Sequence, residues 1–490
     1  MKPVVLLTAI LLGASVVAAA ERPNILFIMS DDHSAQAVSV YGGKINETPN
    51  IDRIAKEGAR LDRCYAVNSI CTPSRATILT AQYSHKNGVP VFNAIDRNRD
   101  NVAKHLRATG YQTAMIGKWH LGSDPSGFDY WQIFPGQGAY WNPVLYGTDG
   151  EKKYNGHATD VVTDLTMRWL NTRKKDQPFF LMMHHKAPHR NWQPQPQFVA
   201  MWTNKVVPAP ANLLAGHPEH ASAIREQKQG IVDLTPNDLK TDPPAGLSGD
   251  ELTRWKYQRY MQDYLACVQG VDDSVGKILK YLDENGLAQN TLIIYTSDQG
   301  FFLGEHGLFD KRFMYEESSR MPFVARWPGH IKPGTTSDAL VINCDFAPTF
   351  LELAGGKPLP DAQGRSMMPI LRGEKPADWR ASFYYRYYHE PGHHNTRQHY
   401  GIRTATHKLI YYPTIDEWEC FDLVIDPGEM HNIYKEPQAQ AVVAKLKEQL
   451  AQVKKEAGDT NDLYLDPKTW PKSTADVLAP SKRRNGRNAE

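Results

Sequence analysis

Short, nearly uninterrupted apolar runs alternate along the chain with longer segments of helical periodicity. Such runs suit strands that are buried on both faces of a sheet. The clearest runs are 24–29, 113–116, 178–183 and 291–295, and the clearest helical segments are 50–58, 102–110 and 257–285. Strands that alternate with helices in this way predict an α/β fold, with a large, mainly parallel sheet flanked by helices.

Polar and chemically capable residues follow each of these apolar runs. In chain order they are Asp31 and Asp32, then Lys118 and His120, then His184, His185 and His189, and finally Asp298 and Gln299. In sheets of this kind, ligands bind beyond the carboxyl ends of the strands. The sequence therefore predicts that acidic groups, a lysine and histidines meet at one edge of the sheet, with His184 and His185 in structural roles.

The acidic residues are candidate metal ligands. Asp31, Asp32, Asp298 and Gln299 supply carboxylate and amide oxygens, which suit Ca²⁺ or Mg²⁺ better than zinc. Three converging aspartates would repel one another without a cation. The alternative for the Asp31-Asp32 pair is a turn and helix cap, but the recurrence of the pattern at Asp298 favours a metal site.

The segment Cys71-Thr72-Pro73-Ser74-Arg75 predicts the start of a helix that carries a reactive group. Thr72 can cap the helix and Pro73 suits its first position. Cys71 would then lie just before the helix N-terminus, where free N–H groups and the macrodipole favour an anion. Arg75 adds a fixed positive charge there. The alternative is an ordinary buried cysteine, or one that forms a disulfide with Cys64.

Composition and the N-terminal segment limit the class of protein. The chain has 490 residues, with 56 basic and 54 acidic residues and a net charge of +2, so nothing indicates nucleic-acid or membrane-surface binding. Residues 1–20 have a charged start, an apolar core and a small-residue end, which predict a signal peptide. The protein is therefore expected in the periplasm or outside the cell. Five cysteines are too few for a disulfide framework, and their odd number leaves at least one unpaired.

The pattern changes after residue 375. We predict a catalytic α/β domain over 21–375, with a loop-rich insertion at about 204–249, followed by a smaller C-terminal α+β domain over 376–470. In the smaller domain, 383–388, 400–412 and 418–423 are predicted strands and 439–457 a predicted helix. The basic, polar residues 471–490 predict a disordered tail.

Together these motifs resemble the type I sulfatases, the formylglycine-dependent branch of the alkaline phosphatase superfamily. The matching stretches occur in the family's order and cover about residues 22–435. They are 23–32, 71–76 with its continuation to 81, 117–122, 187–189, 297–300, and Lys311 with Tyr315 and Glu316. The resemblance implies an alkaline-phosphatase-like fold.

The resemblance also implies roles for individual residues. Cys71 would be converted to formylglycine by a maturation enzyme and would join Asp31, Asp32, Asp298 and Gln299 around Ca²⁺, with Mg²⁺ as an alternative. Many family members carry Asn where this chain has Gln299. The remaining roles are Arg75 holding the formylglycine hydrate and the cation site, His120 helping to break down the sulfated intermediate, Lys118 and Lys311 binding sulfate, and His189 as general acid.

The stretch 384–403 is dense in aromatic, histidine and arginine side chains, which suit sugar rings and hydroxyls. It resembles bacterial carbohydrate sulfatases similar to N-acetylglucosamine-6-sulfatases. This implies a sulfated carbohydrate substrate, with Arg386, His394, His399 and Arg403 as substrate-binding candidates. His389 and His393 depart from the residues expected there, which leaves the sugar open. The alternative is an aromatic sheet edge without ligand contact.

Two other functions are consistent with parts of the sequence. One is a phosphodiesterase or phosphonate monoester hydrolase of the same superfamily, and the other is a catalytically silent sugar-binding relative. The set of Lys118, His120, His189 and Lys311 favours sulfate over phosphate. The intact Cys71 motif favours an enzyme over a silent relative.

Overall fold

The predicted apolar strands form the centre of a ten-stranded sheet in a computed structural model that describes residues 22–462. The sheet order is β14-β2-β13-β9-β1-β8-β4-β5-β6-β7. The strands of the described chain are β1 Asn24–Ser30, β2 Ala59–Leu61, β3 Cys64–Tyr65, β4 Gln112–Gly117, β5 Tyr130–Ile133, β6 Val144–Gly147, β7 Gly150–Lys153, β8 Phe179–His184, β9 Thr291–Ser297, β10 Phe302–Leu303, β11 Phe309–Asp310, β12 Arg320–Met321, β13 Phe323–Arg326, β14 Thr335–Ser337, β15 Val341–Ile342, β16 Ser382–Tyr387, β17 His399–Thr404, β18 His407–Tyr412 and β19 Glu417–Asp422.

Helices cover both faces of this sheet. They are α1 Pro49–Lys56, α2 Cys71–Thr80, α3 Ser84–Asn87, α4 Val102–Ala108, α5 Ala158–Thr172, α6 Pro196–Trp202, α7 Ser222–Glu226, α8 Pro236–Leu239, α9 Gly249–Glu284, α10 Glu316–Ser319, α11 Phe346–Leu353, α12 Met368–Leu371 and α13 Gln440–Glu456. One apolar cluster joins the sheet to α5 and α9, and a second joins its other face to α2, α4 and α11. No helix within 22–462 has the length and apolar composition that a membrane span needs.

The central strands are parallel, as predicted. β1 pairs in parallel with β8 and β9, β4 pairs in parallel with β8, and every residue of β1, β8 and β9 is buried. The outer strands depart from this pattern, because β13, β6 and β7 are antiparallel to their neighbours. The sequence analysis missed these outer strands, which are short and lack long apolar runs.

The register of the central strands brings their carboxyl ends to one edge. Ser30 is paired with Ser297, and both Met29 and Gly117 are paired with His184. Gly117 has φ +105°, and a Cβ there would lie 1.9 Å from His184 O, so only glycine fits at this close approach. The turns that follow these strands consequently begin side by side.

The smaller domain is a four-stranded antiparallel sheet, β16-β17-β18-β19, on which α13 packs. The prediction of one strand over 400–412 is wrong: a turn at Ala405 and Thr406 divides it into β17 and β18. This sheet shares an apolar cluster with Cys71 and Phe313 of the larger domain. The boundary at residue 375 stays a prediction. The predicted signal peptide and the predicted tail over 471–490 lie outside the described residues.

The region 204–249 is largely irregular and contains the short helices α7 and α8. It leads into α9, which has 36 residues and begins earlier than the periodicity from residue 257 predicts. The additional turns of α9 contact this irregular region, for example where Lys256 Nζ donates to Leu234 O at 2.7 Å. Tertiary contact therefore extends the helix beyond its apolar stripe.

Candidate active site

Cys71 is the first residue of α2 and is buried at the edge where the central strands end. Its Sγ lies 3.2 Å from His120 Nδ1. The predicted cap is wrong in detail: Ile70 is the N-cap, and the Thr72 hydroxyl instead donates to His120 O at 3.0 Å. Cys71 and Cys64 are both free thiols, which excludes the disulfide alternative.

Burial raises the pKa of the Cys71 thiol, although Lys118 opposes the shift. A thiol with a raised pKa is mostly protonated at neutral pH and is a poor nucleophile. The cysteine side chain as encoded is therefore unsuited to direct attack on an ester. This supports its interpretation as a precursor of another reactive group.

Four oxygen-bearing side chains meet beside Cys71. Asp31 and Asp32 follow β1, and Asp298 and Gln299 follow β9. Gln299 Nε2 donates to Asp32 Oδ1 at 2.5 Å, and the backbone N–H of Asp32 donates to Asp298 Oδ1 at 3.2 Å. All four side chains are fully or almost fully buried. The structure thus brings together the predicted metal-ligand set.

The donor set fits a hard divalent cation. Two of its buried oxygens, Asp31 Oδ1 and Gln299 Oε1, have no hydrogen-bond partner among the described residues. Burial, together with the charges of the other aspartates, raises the pKa of Asp32 to about 7 despite its contact with Lys311, and that of Asp298 to about 6. A cation coordinated by these oxygens would relieve both the unsatisfied acceptors and the repulsion.

Three basic side chains bind these carboxylates directly. Arg75 donates to Asp298 Oδ2 from Nε at 3.0 Å and from Nη2 at 2.8 Å, and to Lys118 O at 2.5 Å. Lys311 Nζ lies 2.5 Å from Asp32 Oδ1, and Lys118 Nζ contacts Asp31 Oδ2. Burial alone would raise the pKa of Asp31, but Lys118 and the other cations hold it well below its usual range.

Two of the predicted histidines face this group. His189 Nε2 lies 3.7 Å from Asp32 Oδ2, and its Nδ1 lies 2.6 Å from Arg190 O. Burial and the nearby Lys118 hold the pKa of both His120 and His189 well below the usual value. His184 instead lies behind the site, 3.4 Å from Arg75 Nη1, and His185 lies 3.3 Å from Ser274 Oγ. These two positions agree with structural roles.

The structure adds residues that the sequence analysis missed. Gln137 contacts Lys118 Nζ through Oε1 and accepts from Lys186 Nζ through its backbone oxygen at 3.2 Å. Burial and the charge of Lys118 lower the pKa of Lys186 to about 7. Asp310 and Arg312 flank Lys311 and pair with each other. Gln137 lies four residues beyond the end of β5, a strand that the sequence analysis did not predict, but the charged run from Asp310 to Arg312 was a usable signal.

Four non-glycine residues at this edge have left-handed backbone conformations. Their φ values are 66° at Asp32, 54° at His120, 74° at Asp310 and 92° at Arg312. Such conformations are uncommon for residues with a side chain and cluster at functional sites, where surrounding contacts hold them. The clustering of these backbone conformations supports the assignment of this sheet edge as the active site.

Only one of the four predicted sugar-binding residues lies beside this group. His394 Nε2 lies 3.0 Å from Asp310 Oδ2 and 3.4 Å from Arg190 Nη1. We correct the other three. Arg386 is buried against Asp459, and Arg403 is paired with Glu316 and stacked on Tyr65.

His399 is the third correction. It is fully buried and stacks between the rings of Phe313, Tyr385 and Tyr387, while its Nδ1 lies 2.9 Å from Arg397 O. The pairing of β16 with β17 puts His399 and Arg403 on one face of the small sheet and Arg386 on the other, and all three are buried there. The burial and internal partners of these three residues favour the aromatic-edge alternative.

Comparison with known proteins agrees with this geometry. The sulfatase family profile matches residues 23–356, and the profile described as N-sulphoglucosamine sulphohydrolase, C-terminal, matches residues 304–456. An N-acetylglucosamine-6-O-sulfatase of Bacteroides thetaiotaomicron is 45% identical, with 95% of this chain and 90% of the relative covered. The human N-acetylglucosamine-6-sulfatase is 30% identical, with 76% of this chain and 68% of the relative covered.

Solved structures show the same fold. A structure of a protein in complex with its substrate, D-glucosamine-2-N,6-O-disulfate, superposes with a TM-score of 0.88 at 44% identity, covering 90% of this chain and 99% of that one. A phosphonate monoester hydrolase of Agrobacterium radiobacter, with a TM-score of 0.73 at 22% identity over 89% of this chain and 96% of that one, shares the fold alone. The family match and the assembled site establish that this chain belongs to the sulfatase family and is a sulfuric ester hydrolase.

Proposed function

We propose that this protein is an exported sulfatase that removes the 6-O-sulfate of glucosamine-type sugars in sulfated carbohydrates. It does so with a formylglycine made from Cys71 and with a divalent cation, Ca²⁺ or Mg²⁺. The observation that carries the proposal is Cys71 Sγ 3.2 Å from His120 Nδ1 and beside the Asp31, Asp32 and Asp298 carboxylates. Identity of 45% to an N-acetylglucosamine-6-O-sulfatase over nearly the whole chain supports the substrate class.

The cation and the formylglycine each require particular residues of this chain. Asp31, Asp32, Asp298 and Gln299 would hold the cation, together with the modified side chain of residue 71. When bound, the cation and formylglycine supply an activated hydroxyl nucleophile. A maturation enzyme must install the formylglycine. Export is supported by the charged start and apolar segment of residues 1–20.

The basic side chains recognise the sulfate group. Lys118 and Lys311 place ammonium groups beside Cys71, so that they can bind sulfate oxygens and stabilise charge that develops on them. Arg75 is held in place by two hydrogen bonds to Asp298 and one to Lys118 O. It therefore fixes the first turn of α2, and with it residue 71, against the carboxylates.

His189 is placed to protonate the leaving alcohol. A carbonyl oxygen can only accept, so the 2.6 Å contact with Arg190 O fixes a proton on His189 Nδ1. Nε2, which faces Asp32, is then the nitrogen that gains and loses the catalytic proton.

The rim of the site suits a sugar. Phe92 is 39% exposed, with its ring centroid 6.1 Å from that of His120 and 5.4 Å from that of His393. An exposed ring next to histidines offers an apolar face for a pyranose and polar groups for its hydroxyls. His394, held by Asp310 and Arg190, lies on the same side.

Sulfate release from defined sugars tests the proposal. The full protein, produced in a host that installs formylglycine, is assayed on N-acetylglucosamine-6-sulfate and on its C4 epimer N-acetylgalactosamine-6-sulfate. We expect the gluco sugar to have the higher kcat/KM. Equal or higher kcat/KM for the galacto sugar would overturn the substrate class while leaving the sulfatase in place.

Three further measurements test the other parts of the proposal. The peptide that contains residue 71 is expected to carry an aldehyde by mass spectrometry, and an unmodified thiol in fully active protein would refute the formylglycine step. A Cys71→Ala variant is the matched control and should release no sulfate. Export predicts a mature protein that begins near Glu21, and an intact N-terminus in the cytoplasm would contradict it.

A further inference from the structure

Three histidines outside the active site form a second cluster of candidate ligands. His217, His220 and His306 each place one ring nitrogen within 4.8 Å of the nitrogens of the other two. His220 and His306 are buried, and His217 is half-buried. His217 and His220 belong to the irregular region 204–249, whereas His306 lies in the loop between β10 and β11.

Hydrogen bonds define which nitrogens of this cluster are free. His217 Nε2 lies 2.8 Å from His306 O, and His220 Nε2 lies 2.8 Å from Glu429 O. Because a carbonyl oxygen can only accept, both Nε2 atoms carry the proton and both Nδ1 atoms present a lone pair. Neither Nδ1 has a hydrogen-bond partner within residues 22–462.

His306 completes the set. Neither of its ring nitrogens has a hydrogen-bond partner in the described chain, although the ring is 1% exposed. Glu317 Oε2 lies at ion-pair distance, 3.7 Å, from His306 Nε2 and has no hydrogen-bond partner among the residues that the structure describes. Ring stacking explains how the three imidazoles pack; the ring centroids of His306 and Tyr315, for example, lie 4.8 Å apart. Stacking does not explain why each of the three rings has a buried nitrogen without a hydrogen bond within 22–462.

We propose that His217, His220 and His306 bind a zinc ion. Neutral imidazole nitrogens are preferred ligands of zinc, and three of them leave the fourth tetrahedral position for water. The backbone carbonyls behind His217 and His220, and the carboxylate behind His306, are the partners that orient metal-bound histidines. Zinc–nitrogen bonds of about 2.1 Å require the nitrogens to draw together, and His217 is the least buried of the three rings.

The zinc ion would join separate parts of the fold. It would link the irregular region to the β10–β11 loop, next to the segment around Glu429. The same irregular region reaches the active-site rim, where Lys228 N donates to His394 O at 2.6 Å and Lys228 O lies 2.9 Å from His394 Nδ1. By linking these parts of the fold, the ion would steady the position of His394 without contacting the substrate.

Zinc titration of the full-length protein tests this site. Chelator-treated protein is titrated with ZnCl₂ in excess Ca²⁺, which occupies the oxygen-rich active site, and bound zinc is measured after gel filtration. We expect one equivalent of zinc, a rise in the thermal unfolding midpoint, and with Co²⁺ the visible absorption of a tetrahedral site. Absence of tight binding by the wild-type protein would overturn the proposal.

Variants locate the ion. His217→Ala removes the half-buried ligand with little packing loss and should abolish the zinc-dependent rise in midpoint, as should His220→Asn if it folds. His330→Ala, a histidine stacked on Trp327 outside the cluster, should bind zinc like the wild type. Unchanged zinc binding by folded His217→Ala would refute the site. All these readouts are independent of sulfate release.

Discussion

Cys71 Sγ lies 3.2 Å from His120 Nδ1, although the two residues are 49 positions apart. The contact joins the first residue of α2 to the turn that follows β4. His120 holds a left-handed backbone conformation there, with φ 54°. This arrangement fixes one imidazole against the residue that we propose becomes formylglycine.

His120→Ala should therefore impair turnover more than binding. We expect kcat to fall about 10²–10⁴-fold, the range for loss of an acid–base group, with a small change in KM. Steady-state kinetics on N-acetylglucosamine-6-sulfate measures both, and mass spectrometry must show that residue 71 is still converted. His105→Ala in α4 is the control, and full activity of converted His120→Ala would contradict the role.

The amide of Gln299 should determine cation affinity. Gln299→Leu removes the unpartnered Oε1 while keeping the side-chain size, and we expect Ca²⁺ affinity to fall about 10–100-fold. Gln299→Asn keeps the amide and should lose less of the Ca²⁺ affinity. Isothermal titration of chelator-treated protein compares them. Equal affinity of the leucine variant and the wild type would remove Gln299 from the ligand set.

Asp272 should give stability a specific pH dependence. It caps α1 by accepting from Ile51 N at 2.9 Å and Asn50 Nδ2 at 2.8 Å, and burial raises its pKa from 3.8 to about 6. The folded protein thus holds the Asp272 proton more tightly than the unfolded chain does. Its contribution to stability is fully present below pH 4 and is lost as the pH rises through about 6.

Urea unfolding of the wild type and of Asp272→Asn checks this prediction. The free energy of unfolding of the wild type, minus that of the variant, should decrease between pH 4 and pH 6 and level off above that range. The asparagine variant keeps the side-chain size and an acceptor but cannot titrate. A difference that is flat or increases with pH would contradict the assigned cause.

Arg386 and His394 should separate stability from substrate binding. Arg386→Met removes the guanidinium that donates to the buried Asp459 carboxylate at 2.7 Å, beside the Tyr384 hydroxyl, so we expect a loss of about 3–5 kcal/mol in stability and an unchanged KM. His394→Ala should raise KM about tenfold with little loss of stability. Thermal unfolding gives the stability of both variants, and steady-state kinetics gives their KM values. A raised KM in folded Arg386→Met would restore it as a substrate-binding residue.

Much of the active site follows from local sequence. The apolar runs before Asp31, Lys118 and Asp298 form buried strands. Parallel pairing of these strands places their carboxyl ends together. The carboxylate and amide ligands then predict a bound cation, and the spacing of Cys71 and Arg75 predicts a bound anion, at one edge of the sheet. These features depend on neighbouring residues and on general properties of parallel sheets.

Other features were decided only by tertiary contact. The surroundings of Arg386, His399 and Arg403 depend on what packs against the two faces of the small sheet, and Gln137 reaches Lys118 from an irregular segment. His217, His220 and His306 likewise meet only because the region 204–249 folds onto the β10–β11 loop. By itself the sequence determined the central parallel strands, the residue types at their ends and the class of chemistry. The tertiary structure decided which distant side chains share a site, because burial and long-range packing, rather than spacing along the chain, set their directions.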